Sequence, residues 1–156
     1  MGCDIHSYAE RKSTGGGGWE AIKEVPHPFS WRSYRVFAFL AGVRNYSAVT
    51  PISQPRRFPT DASPEARSDY ELWGSDAHTP SWLTVKELND FDYTQQMEDW
   101  RCGRQITPRL YSEAETCDPG EGIQKTYQEF LGDHFFKELD KLNGAGAERV
   151  VFWFDN

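Results

Sequence analysis

The sequence predicts an α+β protein: an antiparallel sheet, made of an N-terminal hairpin plus a C-terminal strand, packed against a long C-terminal helix and shorter helices. Three observations predict it. Residues 4–10 alternate, with Asp4, His6, Tyr8 and Glu10 on one face and Ile5, Ser7 and Ala9 on the other, the period of a strand. A stripe of Ile123, Tyr127, Phe130, Leu131, Phe135, Leu139 and Leu142 follows helical spacing. The run VVFWF at 150–154 is unbroken and rich in β-formers, as a central strand covered on both faces requires.

Taken in order, Gly15 to Gly18 break the first strand and WEAIKEV at 19–25 resumes a strand pattern, so the two form a hairpin ended by Pro26 and Pro28. Ser33 can cap a helix through Val36, Phe37, Leu40 and Val43, closing near Gly42 or Asn45. Residues 46–62 carry Pro51, Pro55 and Pro59 without a clear period, and 46–80 is a candidate lid or binding loop. A short helix starts at Ser63-Pro64-Glu65 and ends at Gly74. Thr84 and Glu87 have the spacing of a capping box for another, to about Asn89. Residues 90–116 are polar, with strand character from Arg104 to Tyr111. Asp118-Pro119-Gly120-Glu121 reads as the start of the long helix, which Asn143-Gly144 closes.

At 156 residues the chain has the length of one domain. Its mean hydropathy of −0.72 contains no membrane-spanning run. Seventeen Lys and Arg against 24 Asp and Glu give −7, which opposes binding to duplex nucleic acid or an anionic membrane. Cys3, Cys102 and Cys117 are an odd count without a C-x-x-C pair, and no secretory signal opens the chain, so a reducing, cytoplasmic setting is expected.

Two features point to chemistry. Asp4-Ile5-His6 and Asp76-Ala77-His78 share the Asp-x-His spacing, which on a strand places a carboxylate and an imidazole on one side. Mixed ligands of this kind suit Zn, Mn or Mg, so Asp4, His6 and His78 are candidate ligands of a divalent metal cofactor. Glu10 or Asp76 would be the general base, and Asp155 is a lesser candidate. Hydrogen bonding of Asp4 to His6 alone would explain the first pair equally well.

The second feature is charge segregation. Between Val25 and Thr60 there is no Asp or Glu, yet Arg32, Arg35, Arg44, Arg56 and Arg57 all occur, leaving −12 for the remainder. Guanidinium forks hold phosphate through paired hydrogen bonds, and the interleaved Trp31, Tyr34, Tyr46 and Phe58 can stack on a base. Arg35, Arg44, Arg56, Arg57, Trp31 and Tyr34 are therefore candidate ligand-binding residues for a nucleotide or phosphorylated small molecule. Pairing of these arginines with the acidic remainder is the structural alternative.

The segments MGCDIH, FAFLAGVRN at 37–45, SWLT at 81–84 and VVFWFDN resemble a family of small phage and prophage proteins of unassigned function. The resemblance implies a bacterial host cytoplasm and a role in counter-defence, where such proteins cleave or sequester nucleotide signals. The opening Asp-x-His is similar to that of calcineurin-like metallophosphoesterases, but their GDxxD, GNH and H-x-H motifs are missing. The functional expectations are thus a metal-dependent phosphodiesterase acting on a nucleotide or cyclic oligonucleotide, a non-enzymatic nucleotide-binding protein, or an acidic inhibitor of a host protein. A homo-oligomer is compatible with each.

Overall fold

The computed structural model describes residues 2–102, 104–107, 110–112 and 116–156, with 104–107 and 110–112 described by their backbone alone. The elements in chain order are β1 (Ile5–Lys12), β2 (Trp19–Pro26), α1 (Tyr34–Ala41), α2 (Pro64–Trp73), β3 (His78–Thr84), α3 (Val85–Asp90), β4 (Gln96–Asp99), β5 (Arg104–Thr107), β6 (Leu110–Ser112), β7 (Ile123–Thr126), α4 (Tyr127–Leu131), α5 (Asp133–Gly144) and β8 (Arg149–Phe154). The fold is α+β, as the sequence predicts. Where length alone points to one core, the chain divides into two compact units: residues 1–32, 53–91 and 134–156 form the first, and 33–52 with 92–133 the second.

The first unit is built on a four-stranded antiparallel sheet in the order β2-β1-β8-β3. Its centre is β8, every residue of which is buried. Register fixes which side chains share a face, because residues directly opposite in adjacent strands point the same way. Pairing of His6 with Trp153, Tyr8 with Val151 and Glu10 with Arg149 defines one face. Trp82 opposite Val151 and Thr84 opposite Arg149 continue it onto β3. Ile5 with Phe154 and Ser7 with Phe152 define the other face, which His78 joins opposite Phe154.

α2 covers one end of the first face. Its Trp73 lies 4.1 Å from the His6 ring and its Tyr70 meets Trp153 edge-on at 5.4 Å. Ser63 caps this helix and Pro64 occupies the first turn, where its missing N–H costs no hydrogen bond. α5 buries Phe135, Leu139 and Leu142, and Phe135 stacks on Phe29 at 5.1 Å. Thr84 and Glu87 form the expected capping box of α3.

In the second unit α1 runs from a Ser33 cap to Gly42, whose φ of 71° takes the left-handed conformation that ends the helix without a Cβ penalty. Val36 to Ala41 are all buried, and Phe39 meets Tyr93 and Tyr127, each at 5.9 Å. β4 pairs with β7, and β5 with β6, in separate antiparallel ribbons. The two short strands overlap the segment read as strand from Arg104 to Tyr111, the second running on to Ser112; positions 108–109 lie outside the described residues.

The long helix expected from Asp118 is corrected. Ile123–Thr126 pairs as a strand with Gln96–Asp99, Thr126 caps α4, and Gly132 at φ 81° separates α4 from α5. The apolar spacing was real at Phe135, Leu139 and Leu142, but Gly132 lets the backbone turn where a continuous stripe implies one helix. The odd, widely spaced cysteines nevertheless include a pair. Cys102 and Cys117 form a disulfide with their Cα atoms 6.2 Å apart, and both backbone N–H groups donate to the Trp100 carbonyl. Cys3 is a buried free thiol. Among the described residues no helix is long and apolar enough to cross a membrane.

Candidate functional site

Each end of the first face carries a cluster of charged residues, and the two are organised differently. At the α2 end, Asp4 accepts two hydrogen bonds from Arg32, at 2.8 and 2.6 Å. That contact holds the Asp4 carboxyl below the usual carboxylate range. His6 Nε2 lies 2.8 Å from Asp155 Oδ2, and the ring is held between Trp73 and Trp153. Tyr8 donates to Asp69 at 2.8 Å; burial, reinforced by that carboxylate, pushes its hydroxyl pKa up.

This arrangement does not fit the divalent metal expected on Asp4, His6 and His78. His78 stacks beside Phe154 and His6 beside Trp153, consecutive residues of β8 whose side chains leave opposite faces of the sheet. His78 Nδ1 meets Thr79 Oγ1 at 3.0 Å, and its Nε2 is a buried atom without a hydrogen-bond partner among the described residues. The other two donors are on the far side, engaged by Asp155 and Arg32. Among the described residues no group of three or more His, Cys, Asp or Glu can converge on a metal ion.

The general bases are corrected on the same grounds. Glu10 is fully buried, accepts from Arg149 at 2.8 and 2.6 Å and from the Ser63 N–H at 2.6 Å, and has no exposed lone pair to take a proton from water. Asp76 is exposed in a 3₁₀ turn, Gly74–Asp76, with no catalytic partner built around it.

At the other end of the face a cleft of about 1020 Å³ opens in the first unit. Strand register builds its floor. Lys12 pairs with Trp19 and Glu10 with Arg149, and Thr84 faces Arg149 from β3. The segment 56–61 and α3 form its walls. Arg149, whose side chain is 5% exposed, lies under the Trp19 ring at 3.9 Å and 5.9 Å from the Trp82 ring. Asp61 accepts from Arg149 at 2.9 Å and from Trp19 Nε1 at 3.0 Å, and the Arg149 bond in particular lowers its pKa. Arg56 stacks 4.7 Å over Trp82 and forks onto Glu87. That guanidinium carries the Glu87 pKa down to about 2. Lys86 pairs with Asp90.

Two cations at the cleft form no side-chain ion pair among the described residues, and the Lys12 backbone N–H donates to Glu148 Oε2 at 2.7 Å, which sets that carboxylate beside it. Arg57 is exposed, at φ 71°, and Lys12 extends its ammonium 5.6 Å from the Trp19 ring. Asn89 and Asn143 close the rim with reciprocal amide bonds of 2.8 and 2.9 Å. The cleft therefore offers indole rings and guanidinium planes for stacking beside uncommitted positive charge.

The expected ligand-binding set is divided between the units. Arg56 and Arg57 line the cleft. Trp31, in the same unit, packs against His134 at 4.0 Å. Tyr34, Arg35 and Arg44 belong to the second unit, where Arg44 and Arg101 each lie 5.9 Å from the Tyr34 ring. Arg35 stands 3.9 Å from Asp99, a buried carboxylate. Burial raises the Asp99 pKa, but bonds from Ser47 and Lys125 outweigh it and hold the group below its ordinary value. Sequence reasoning missed Lys12, Trp19, Trp82 and Arg149. The available signal was alternation at Lys12, which continues the Glu10 face; Trp82 lies in the SWLT segment, for which no strand was predicted.

No protein-family model, curated protein or solved structure matches the chain. The functional reading is built on the cleft.

Proposed function

We propose that this protein binds a nucleotide, or a similar phosphorylated small molecule with an aromatic ring, in the cleft between β1–β2, β3 and the 56–61 segment, and holds it without hydrolysis. The observation that carries the reading is the pair of uncommitted cations, Arg57 and Lys12, beside the Trp19 and Trp82 rings. A phosphate meeting Arg57 gains a charge-assisted hydrogen bond worth roughly 1.5–3 kcal/mol. A base stacked on an indole or on the Arg56 guanidinium plane adds about 1–3 kcal/mol. Cations already matched by Glu10, Asp61, Glu87 and Asp90 cost more to recruit, because their partners would be left unpaired. They act as rigid stacking surfaces instead. In a phage setting, which the sequence resemblance implies, sequestration of a nucleotide signal is the matching role.

The test is a thermal-shift and calorimetric screen of the purified chain with nucleoside mono-, di- and triphosphates and dinucleotides, followed by recovery of the ligand. Stabilisation that grows with ligand concentration, with the ligand returned unchanged, supports the reading. No shift with any nucleotide refutes it. Turnover of the ligand would restore the hydrolytic alternative.

A further inference from the structure

We infer that the preferred ligand of the cleft has two bases joined through phosphodiester groups, a linear or cyclic dinucleotide, rather than a mononucleotide or a nucleoside triphosphate. The inference rests on the nucleotide reading above and names the ligand class.

Two stacking platforms are present, not one. Trp19 and Trp82 approach the same Arg149 guanidinium, at 3.9 and 5.9 Å, so the two indoles are neighbours on one floor. They are nevertheless separate surfaces, since they stand on β2 and β3, with β1 and β8 between. Trp82 also carries Arg56 at 4.7 Å, which offers a base its planar outer side. A single base reaches one platform and leaves the other unused. Two bases linked by a short backbone cover both.

Size agrees. The cleft volume of about 1020 Å³ stands at the upper limit of roughly 300–1,000 Å³ that small-molecule sites occupy. A mononucleotide would leave much of it unfilled.

Charge decides against the triphosphate. Arg149, Arg56 and Lys86 are matched by carboxylates, which leaves Arg57 and Lys12. Each phosphodiester carries a single negative charge, so the one of a linear dinucleoside monophosphate or the two of a cyclic dinucleotide stay within what the two cations match. A triphosphate brings roughly twice that charge. Its excess would face Asp61, Asp90 and Glu148, which line the same cleft.

The experiment is calorimetric titration of the full chain with the cyclic and linear dinucleotides of adenine and guanine, beside AMP, GMP, ATP and GTP. At least one dinucleotide is expected to bind tenfold or more tightly than every mononucleotide and triphosphate, at one per chain. Trp19→Leu and Trp82→Leu should each weaken the dinucleotide about tenfold, whereas a mononucleotide responds to only one of them. If either variant fails to fold, the ligand ranking on the unaltered chain decides alone. A mononucleotide or triphosphate that binds as tightly as the dinucleotides overturns this inference and leaves the nucleotide reading standing. Absence of binding by all of them overturns both.

Discussion

The two ends of one sheet face contain the same materials, arginine, carboxylate, indole and imidazole or lysine, yet only one end is open for binding. Around His6, each of these polar side chains has its partner: Asp4 has Arg32, His6 has Asp155, Tyr8 has Asp69. α2 lays Tyr70 and Trp73 over that end. Around Arg149 five cations, Lys12, Arg56, Arg57, Lys86 and Arg149, stand beside five carboxylates, Glu10, Asp61, Glu87, Asp90 and Glu148, yet the side chains of Arg57 and Lys12 form no ion pair among the described residues and lie at the mouth of a cleft. The difference teaches that residue type nominates a site, whereas the balance of partners and the cover above it decide whether a ligand can enter.

The largest effect expected from breaking this contrast is at Glu10. Glu10→Ala removes the buried counter-charge of Arg149, leaving it the more exposed Asp61, and also unpairs the buried Ser63 N–H, so it should destabilise the fold by about 3–5 kcal/mol, measured by urea unfolding. A loss below about 1 kcal/mol would show that Glu10 is not the counter-charge of the cleft floor.

Arg57→Ala comes next. It should weaken nucleotide binding about tenfold, roughly 1.4 kcal/mol, while the melting temperature of the free protein stays the same. Unchanged affinity would remove Arg57 from the site.

Acid should act on the cleft wall through Glu87. Its carboxyl titrates near 4.5 when unfolded and at about 2 when folded, so its contribution is fully present above pH 4.5 and is lost as the pH falls toward 2. Glu87→Gln should flatten the stability profile in that window. Asp61, also lowered by its cleft partner, keeps part of the acid sensitivity in the variant.

The smallest effect sharpens the contrast from the other end. Arg32→Ala breaks an exposed pair with Asp4 and should change stability by less than about 1 kcal/mol, with nucleotide affinity unaltered in the same titration. Lost affinity there would move the site to the His6 end.

Much of the fold was legible in the chain because its signals are local. Alternation in 4–10, the glycine break, the caps at Ser33, Ser63 and Thr84 and the apolar run at 150–154 all depend on neighbours within a few positions. The same locality misled at 123–134. A helical stripe can be counted across Gly132, but strand pairing of Ile123–Thr126 with Gln96–Asp99 involves residues 24 to 30 positions away. The candidate site was legible in part. The arginine-rich, acid-free segment contributed Arg56 and Arg57 to the cleft, whereas Trp19 and Trp82 carry no local mark that separates a cleft wall from ordinary core.

Taken by itself, the sequence determined the hairpin, the capped helices, the buried last strand and the segregation of arginine, since each is written in spacing or composition. Tertiary structure alone decided what those residues do. The antiparallel register of β8 between β1 and β3 sent His6 and His78 to opposite faces and set Arg149 against Glu10, 139 positions away. A shift of one residue would have exchanged the faces, because side chains alternate along a strand, and no pattern short in range encodes which residue lies across.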